Sequence, residues 1–419
     1  DDKAVIDLVE DGRIIEDLEY RMLKELKRLM HKSKKSGIAF LQTEGTLEMR
    51  PWRSLNDQTK DNMYGFRMLL DKDMGTVEGT SAQEPIADDI IVLIVTGMPE
   101  LNDIQKFHID QFLMRGGNII FMLKAFDFQL AGADPGLARM GIATGGGFAR
   151  IDKEKLEKLN RWLMYYGMSL NPEILLEPEL GTPALDVERQ YAVRVTNHAW
   201  GFYARDTDTI TGRNPALKSL QQIIIPWYSG VDIRDAVQPE VKFETIVRSS
   251  EAVISRQSTG LTLKELRGLA SSKEERAGRS IPLIVYGHGK FRSGFTQETI
   301  PEKIKNVKFL QGQAGNSQSS ILLIGSPYLT SDILLQNDVN VTIYRINLAF
   351  LQNMIELFTG DTDLIEARSR IRRIDHMLEV GPVLEFIFKW FHILIFPFFL
   401  GLYGVRRLMK RNRKQGAAA

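Results

Sequence analysis

Apolar residues in the first third of the chain follow two different spacings. Between residues 13 and 32 they recur at steps of three and four, which predicts an amphipathic helix. Residues 37–42, 88–95 and 118–123 are instead short, nearly continuous apolar runs, which are typical of strands buried on both faces. Helical spacing separates these runs. The alternation predicts right-handed βαβ crossovers and a mostly parallel sheet, so we expect an α/β fold.

The helices predicted between these strands span residues 57–70 and 101–117. A second stretch of the same kind follows much later in the chain. Residues 281–287 and 320–326 have the pattern of strands, and a helix is predicted near residues 347–358. We expect these late strands to repeat the parallel arrangement of the early ones.

The middle of the chain is less regular. We predict a glycine-rich loop at 141–150, a helix at 152–167 and a charged, exposed linker at 271–280. The α/β region is expected to run from residue 37 to residue 380, with 180–220 as the place where two subdomains would divide. Residues 1–36 form a helical lead-in, and a first residue other than Met leads us to expect that the chain starts inside a longer protein.

An apolar, aromatic segment near the end of the chain has the length of a membrane span. Crossing a bilayer takes roughly 20 apolar residues. Residues 383–405 supply such a stretch, with charges only in its first two turns, where long side chains can reach the interface. Trp390 and Tyr403 lie near the two ends, as in an aromatic belt. The alternative is the buried last helix of a soluble domain.

Four residues weaken this segment as a lone helix, namely His392, Pro397, Gly401 and Gly404. Membrane helices tolerate such residues when neighbouring helices support them. We therefore expect Gly401 and Gly404 to mark a close contact with a partner helix.

A run of cations follows the apolar segment and carries no acidic residue. The six residues are Arg406, Arg407, Lys410, Arg411, Arg413 and Lys414. By the positive-inside rule, the tail 406–419 belongs in the cytoplasm and the rest of the chain outside it. The formal net charge is +1, so the rest of the chain carries −5. A mildly acidic body argues against nucleic acid as a partner.

Sequence motifs for chemistry are missing. The chain has no cysteine, and its six histidines show no paired spacing for a metal. The fragment at 287–291, GHGKF, lacks the first glycine and the Ser or Thr of a phosphate-binding loop. Ser229, in WYSGV, is not in the pattern of a nucleophile elbow. We therefore predict no catalytic residue, no metal site and no cofactor.

A candidate pocket can still be placed. Ligands of open parallel sheets bind beyond the carboxyl ends of the strands. The residues that directly follow the first three predicted parallel strands are Thr43, Glu44 and Gly45, then Thr96, Gly97 and Met98, and then Lys124. These positions could equally be ordinary loop residues.

Several segments resemble one known family. They are KSGIAFLQTEG, HIDQFLMRGGNIIFMLK, LMYYGMSLNPEILLEPE, GKFRSGF, ILLIGSPYLTSD and NLAFLQNMIELFTGDTDLIEARSR, followed by the terminal apolar segment. In this order they resemble the auxiliary component of gliding-motility-type ABC transport systems, the GldG-like proteins. The turn TEG departs from the Gly-His-Gly-Glu pattern of that family, so a ligand role for that loop does not carry over.

The resemblance implies a flavodoxin- or amidotransferase-like α/β domain of the intraflagellar-transport type, without a catalytic triad. It also implies a non-enzymatic subunit of a bacterial inner-membrane complex, with its body in the periplasm. Its partners would be an ABC permease and a separate cytoplasmic ATPase. As a subunit it would bind or hand over substrate, or act as a scaffold.

Two other classes of function remain open from the sequence. One is a stand-alone, membrane-anchored sensor or adaptor that binds a glycan or a peptide. The other is a hydrolase whose residues converge only in the fold, which would need a polar pocket at the carboxyl ends of the strands.

Overall fold

A computed structural model describes most of the chain. The described residues are 9–10, 13–14, 18–30, 37–51, 62–74, 77–130, 147–177, 181–185, 194–205, 215–217, 220, 222–256, 260–262, 276–304, 309–313, 315, 317–332, 335, 338–360, 362–369, 399, 401 and 403–407. The chain divides into two compact units, Asp1–Arg370 and Ile371–Ala419.

The described part contains six α-helices: α1 (Leu18–Met30), α2 (Tyr64–Met74), α3 (Asp103–Met114), α4 (Lys153–Leu163), α5 (Asp338–Thr359) and α6 (Thr362–Ser369). Short 3₁₀ helices span Met164–Tyr166, Pro215–Leu217, Asp235–Val237 and Glu302–Ile304. The described strands are β1 (Val9–Glu10), β2 (Arg13–Ile14), β3 (Gly37–Leu41), β4 (Val77–Thr80), β5 (Ile90–Gly97), β6 (Asn118–Leu123), β7 (Asp127–Leu130), β8 (Gly147–Arg150), β9 (Met168–Leu170), β10 (Ile174–Leu176), β11 (Gly181–Leu185), β12 (Arg194–Arg205), β13 (Gln222–Pro226), β14 (Val231–Ile233), β15 (Val241–Arg248), β16 (Ile254–Arg256), β17 (Gly260–Thr262), β18 (Pro282–Gly289) and β19 (Ser319–Ile324).

A seven-stranded sheet forms the centre of the first unit, in the order β15-β18-β19-β6-β5-β3-β4. All pairs from β19 to β4 are parallel, which confirms the prediction of a largely parallel α/β sheet. The expectation that the late strands would be parallel is wrong for β18, which runs antiparallel to both β15 and β19. A parallel neighbour needs a crossover, usually a helix, and the described residues between β18 and β19 contain only the 3₁₀ helix Glu302–Ile304.

Alternating residues of the central strands enter two separate hydrophobic cores. In β6, Ile119 and Phe121 belong to one core, while Ile120 and Met122 belong to the other. The same alternation holds in β3, β5 and β19, because successive side chains of a strand point to opposite faces. Helices α3 and α4 contribute to the first core, and α2 and α5 contribute to the second. We call the two sides of the sheet the α3–α4 face and the α2–α5 face.

Several helix boundaries differ from the sequence prediction. The helix expected at 13–32 begins only at Leu18, because Arg13 and Ile14 pair with β1 in a two-stranded sheet. The helix expected at 57–70 runs over Tyr64–Met74, since Asn62 forms a bridge with Glu48. Residues 57–61 lie outside the described ranges.

Three later segments also differ. The helix expected near 347–358 is longer and spans Asp338–Thr359. The loop expected at 141–150 contains β8, which pairs with β7 and β17. The linker expected at 271–280 is described only from Arg276 onward, where it has no regular structure.

The predicted membrane segment lies mostly outside the described residues. Within the second unit, residues 399, 401 and 403–407 are helical and exposed. An added Cβ at Gly401 or Gly404 would meet no atom within 4 Å. Trp390 and Pro397 are not among the described residues. Within the ranges that the structure describes, no helix has the length and apolarity needed to cross a membrane.

Candidate functional site

A cleft of about 580 Å³ lies where strands β3 and β5 end. This is the carboxyl edge of the parallel part of the sheet, where ligands of open α/β folds bind. The lining residues come from the loops after both strands, from the start of α3, from α4 with the residue before it, and from Gln83. They are Thr43, Glu44, Gln83, Met98, Pro99, Glu100, Leu101, Asn102, Gln105, Lys106, Asp152, Glu154, Lys155, Lys158, Leu159 and Trp162.

Backbone hydrogen bonds join the two strand-end loops. The amide of Met98 donates to the carbonyl of Gly45 at 2.9 Å, and the amide of Glu100 donates to the carbonyl of Glu44 at 2.8 Å. Gly45 has φ +82° and Gly97 has φ +80°, a conformation that favours glycine. A Cβ at Gly45 would lie 2.0 Å from the carbonyl oxygen of Met98, so the loops can approach this closely only without that side chain.

The first turn of α3 is held against the cleft by its cap. Asn102 and Gln105 form a reciprocal capping box, in which each side chain accepts a hydrogen bond from the backbone amide of the other. The side-chain amide of Gln105 also donates to the carbonyl of Ser81 at 2.8 Å and to the hydroxyl of Thr43 at 3.3 Å. One glutamine thus fixes the positions of the loops after β3 and β4 relative to α3.

The first turns of α4 add charged residues to the cleft lining. Asp152 caps the helix by accepting from the amide of Lys155 at 3.1 Å. The ammonium of Lys155 forms an ion pair with Glu100 of the β5 loop. The hydrogen bond to Glu100 raises the pKa of Lys155. Lys158 forms an ion pair with Glu154, one turn earlier in the same helix, at 2.6 Å.

The lining combines a charged rim with apolar residues. Four carboxylates and three ammonium groups face the cleft, together with Met98, Leu159 and Trp162. The Trp162 ring is buried and packs edge-on against Phe121 of β6, with 5.4 Å between ring centroids. A surface of this composition can bind a polar ligand with some apolar area through charge-assisted hydrogen bonds.

Asp110 is a fully buried carboxylate on the same face, farther along α3. It accepts hydrogen bonds from the Ser293 hydroxyl at 2.6 Å and from the Gly294 amide at 2.9 Å. Burial raises its pKa to about 6. Burial, and then the charge of Asp110, also hold the pKa of the Tyr166 hydroxyl well above its usual value. Asp110 does not line the cleft, and its contacts attach the loop after β18 to α3.

The seven residues proposed from the sequence have different positions. Thr43, Glu44 and Met98 line the cleft, and Gly45 and Gly97 form the backbone contact between the two loops.

The other two residues are not in the cleft lining. The buried hydroxyl of Thr96 accepts from the amide of Leu47 at 3.1 Å. Lys124 lies at the end of β6, where its ammonium is 5.9 Å from the centroid of the Tyr328 ring.

Sequence reasoning missed the contribution of α4. The helix itself was expected, but nothing in its sequence shows that its first turns face the loop after β5. Asn102 and Gln105 did carry a signal, since Asn followed three residues later by Gln before an apolar run is a helix-start pattern.

The two fragments that lack a complete motif, GHGKF and WYSGV, occupy ordinary structural positions. Gly287 and Gly289 lie inside β18, so GHGK is not a loop before a helix. Ser229 is buried, and its hydroxyl accepts from the amide of Ala125 at 3.2 Å. In the described residues, no three His, Asp or Glu side chains converge as metal ligands.

A family model described as an ABC-type uncharacterized transport system matches residues 35–354. None of the curated proteins gives a significant match.

Similar solved structures include the N-terminal domain of mmIFT52, with 10% identity and a TM-score of 0.38, covering 77% of this chain and 97% of that one. A ThuA-like protein from Bacteroides uniformis has 11% identity and a TM-score of 0.34, covering 75% of this chain and 90% of that one. Both TM-scores are too low to establish a shared fold.

Proposed function

The chain belongs to the family of auxiliary components described as an ABC-type uncharacterized transport system, and we propose that it is a GldG-like subunit. In this proposal the chain is not an enzyme. It acts beside an ABC permease, and ATP is hydrolysed by a separate cytoplasmic chain. The match over residues 35–354 is the observation that carries the proposal, and the ordered motifs of the sequence support its GldG-like form.

We further propose that residues 383–405 anchor the chain in the inner membrane of a bacterium. The support is the apolar run itself and the six cations that follow it, which favour a cytoplasmic tail and a periplasmic body. The intraflagellar-transport-type form of the α/β domain belongs to the same proposal.

The cleft is the proposed place for substrate contact. It lies at the carboxyl edge of the sheet, and its strand-end loops are fixed by backbone hydrogen bonds, so the site is formed in advance. Its ion pairs are partly exposed and can exchange partners with a polar ligand at little cost. The proposed role is therefore to bind a substrate or hand it to the permease without changing it.

Copurification tests the partnership. The tagged full-length chain, extracted from native membranes with a mild detergent, should carry a permease and an ATPase, identified by mass spectrometry. Recovery of the chain alone would contradict the proposal and favour the sensor.

A pair of variants tests the role of the terminal helix. Gly401→Leu combined with Gly404→Leu should weaken copurification while the chain stays in the membrane fraction, because bulk at a close helix contact separates the helices. Val405→Leu is the matched control and should leave the complex intact. Unchanged association of the double variant would refute the glycine contact.

The absence of cysteine allows a direct test of orientation. A thiol reagent that cannot cross membranes should label Lys72→Cys in intact spheroplasts. It should label Lys414→Cys only after lysis. Labelling in the reverse order would place the body in the cytoplasm and contradict the topology.

A further inference from the structure

One face of helix α1 contacts the rest of the first unit. The Tyr20 hydroxyl donates to Glu356 of α5 at 2.9 Å. One turn later, the Lys24 ammonium forms an ion pair with Asp73 of α2 at 3.1 Å. Residues four apart lie on the same side of a helix, so these two contacts set the rotation of α1 about its axis.

The outward face of α1 carries apolar side chains. Met22 is 55% exposed and Leu26 is 53% exposed, and they also lie one turn apart. Each is two positions from an attached residue, which places it on nearly the opposite side of the helix. Two large apolar side chains are therefore held in water by a helix whose orientation is fixed.

Positive charge is concentrated in this part of the sequence. Apart from Lys24, which pairs with Asp73, six Lys or Arg and only two Glu occur between residues 18 and 35, although the whole chain has a formal net charge of only +1. A helix with Met and Leu on one face, within a basic segment, has the pattern of helices that lie in a membrane interface.

We propose that α1 is an interfacial helix that rests on an anionic phospholipid surface. In this arrangement Met22 and Leu26 enter the boundary between headgroups and acyl chains, and the surrounding cations contact phosphate groups. The excess of lysine favours lipid over a protein partner, because lysine is depleted from the cores of protein interfaces.

Within the first unit, helix α6 also packs against α1, which adds to the contacts that hold α1 in place. The inference uses the membrane location of the proposed function but goes beyond it. It assigns a second contact with the membrane to the folded unit itself.

Site-specific fluorescence in nanodiscs tests the proposal. The full-length Met22→Cys variant carries a polarity-sensitive dye, and the discs contain either phosphatidylcholine alone or phosphatidylcholine enriched in phosphatidylglycerol. The dye should shift to the blue and resist acrylamide quenching in the anionic discs, and high salt should reverse both effects. Met68→Cys is the matched control, because Met68 is 47% exposed on a different helix, and its dye should stay quenchable throughout.

Charge removal gives a second readout. Lys27→Ala combined with Arg28→Ala should lower the ratio of shielded to exposed dye about 25-fold in anionic discs, since each cation near such a surface contributes roughly fivefold. The matched pair, Lys72→Ala with Lys242→Ala, should leave the ratio unchanged.

The outcomes separate this inference from the proposed anchor. Co-elution with neutral discs reports on residues 383–405, while shielding at position 22 reports on α1. Co-elution with a dye that is equally quenchable at positions 22 and 68 would overturn the lipid contact and leave the anchor intact. Shielding that requires the permease rather than anionic lipid would also overturn it, in favour of a protein partner. Binding to anionic discs alone, with shielding, would support α1 and contradict the anchor.

Discussion

Both faces of the central sheet carry a buried hydrophobic core, but their polar groups differ in burial and in partners. On the α2–α5 face, buried amides of α5 are satisfied by backbone. Asn347 donates to the carbonyls of Ile224 and Leu329, at 2.7 and 2.9 Å, and Asn353 donates to the carbonyl of Ala216 at 2.9 Å. The α3–α4 face instead exposes charges around a cleft at the carboxyl edge of the sheet.

This difference separates a structural face from an adaptable one. A buried polar group is costly unless it is paired, so the satisfied asparagines fix α5 in one position. Exposed ion pairs contribute little to stability and can rearrange when a ligand arrives. We therefore expect substitutions in either core to affect folding, and substitutions in the cleft rim to affect mainly binding.

The largest effects should come from the two cores and should be similar. Phe121→Ala removes a ring from the α3–α4 face, and Phe40→Ala removes one from the α2–α5 face, where it packs edge-on against Phe66. Each should cost about 3–5 kcal/mol in the free energy of unfolding of the full chain in urea. A much smaller cost for Phe121→Ala would show that the α3–α4 face is loosely packed.

A somewhat smaller effect should follow from filling the contact between the cleft loops. Gly45→Ala should cost about 3 kcal/mol, because the added methyl group would meet the Met98 carbonyl in a left-handed backbone. Gly278→Ala is a matched control, since Gly278 has φ +63° and no atom near its missing side chain. It should cost only about 1 kcal/mol. Equal costs would mean that the close approach does not matter.

Each face also contains one buried aspartate whose pKa is raised to about 6, mainly by burial. Asp110 holds the loop after β18, and Asp332 accepts from the amide of Gly65 at the start of α2, at 2.9 Å. A folded pKa above the unfolded value of 3.8 means that the folded state holds the proton more tightly. Stability from each group is therefore fully present below about pH 4 and is lost as pH rises through about 6.

Asp110→Asn and Asp332→Asn should each remove part of this pH dependence. The wild-type chain should lose stability between pH 4 and pH 7. In each variant, the difference between the unfolding free energies at these two pH values should be about 2–3 kcal/mol smaller than in the wild type. Urea titrations at several pH values measure it. Asp88→Asn is the control, because the Asp88 side chain is 96% exposed, and it should leave the slope nearly unchanged. A wild-type slope in both buried variants would contradict the assignment.

The smallest effect should come from the cleft rim. Glu100→Gln breaks the ion pair with Lys155. The Glu100 side chain is 42% exposed and the Lys155 side chain is 47% exposed. The substitution should lower stability by less than about 1 kcal/mol, because solvent screens the pair. A double-mutant cycle with Lys155→Met measures the coupling. A coupling of several kcal/mol would show that the rim is rigid and would remove the contrast between the two faces.

Much of the sheet was predictable because a strand that is buried on both faces consists of a nearly continuous apolar run. The run at 118–123 is strand Asn118–Leu123, and the run at 37–42 differs from Gly37–Leu41 by one residue. The candidate site was only partly predictable. Thr43, Glu44 and Met98 follow strands whose carboxyl ends must meet. Lys155 lies 55 residues after Glu100 and reaches the cleft only through the packing of helix α4.

The sequence by itself determined the α/β class, the largely parallel sheet and the membership in an ABC transport auxiliary family, because periodicity and ordered motifs are properties of neighbouring residues. Only the tertiary structure decided that β18 runs against its neighbours, that α4 completes the cleft and that Asp110 is buried. These outcomes depend on which distant segments pack together. No local pattern records the burial of a carboxylate by a loop that follows it by more than 180 residues.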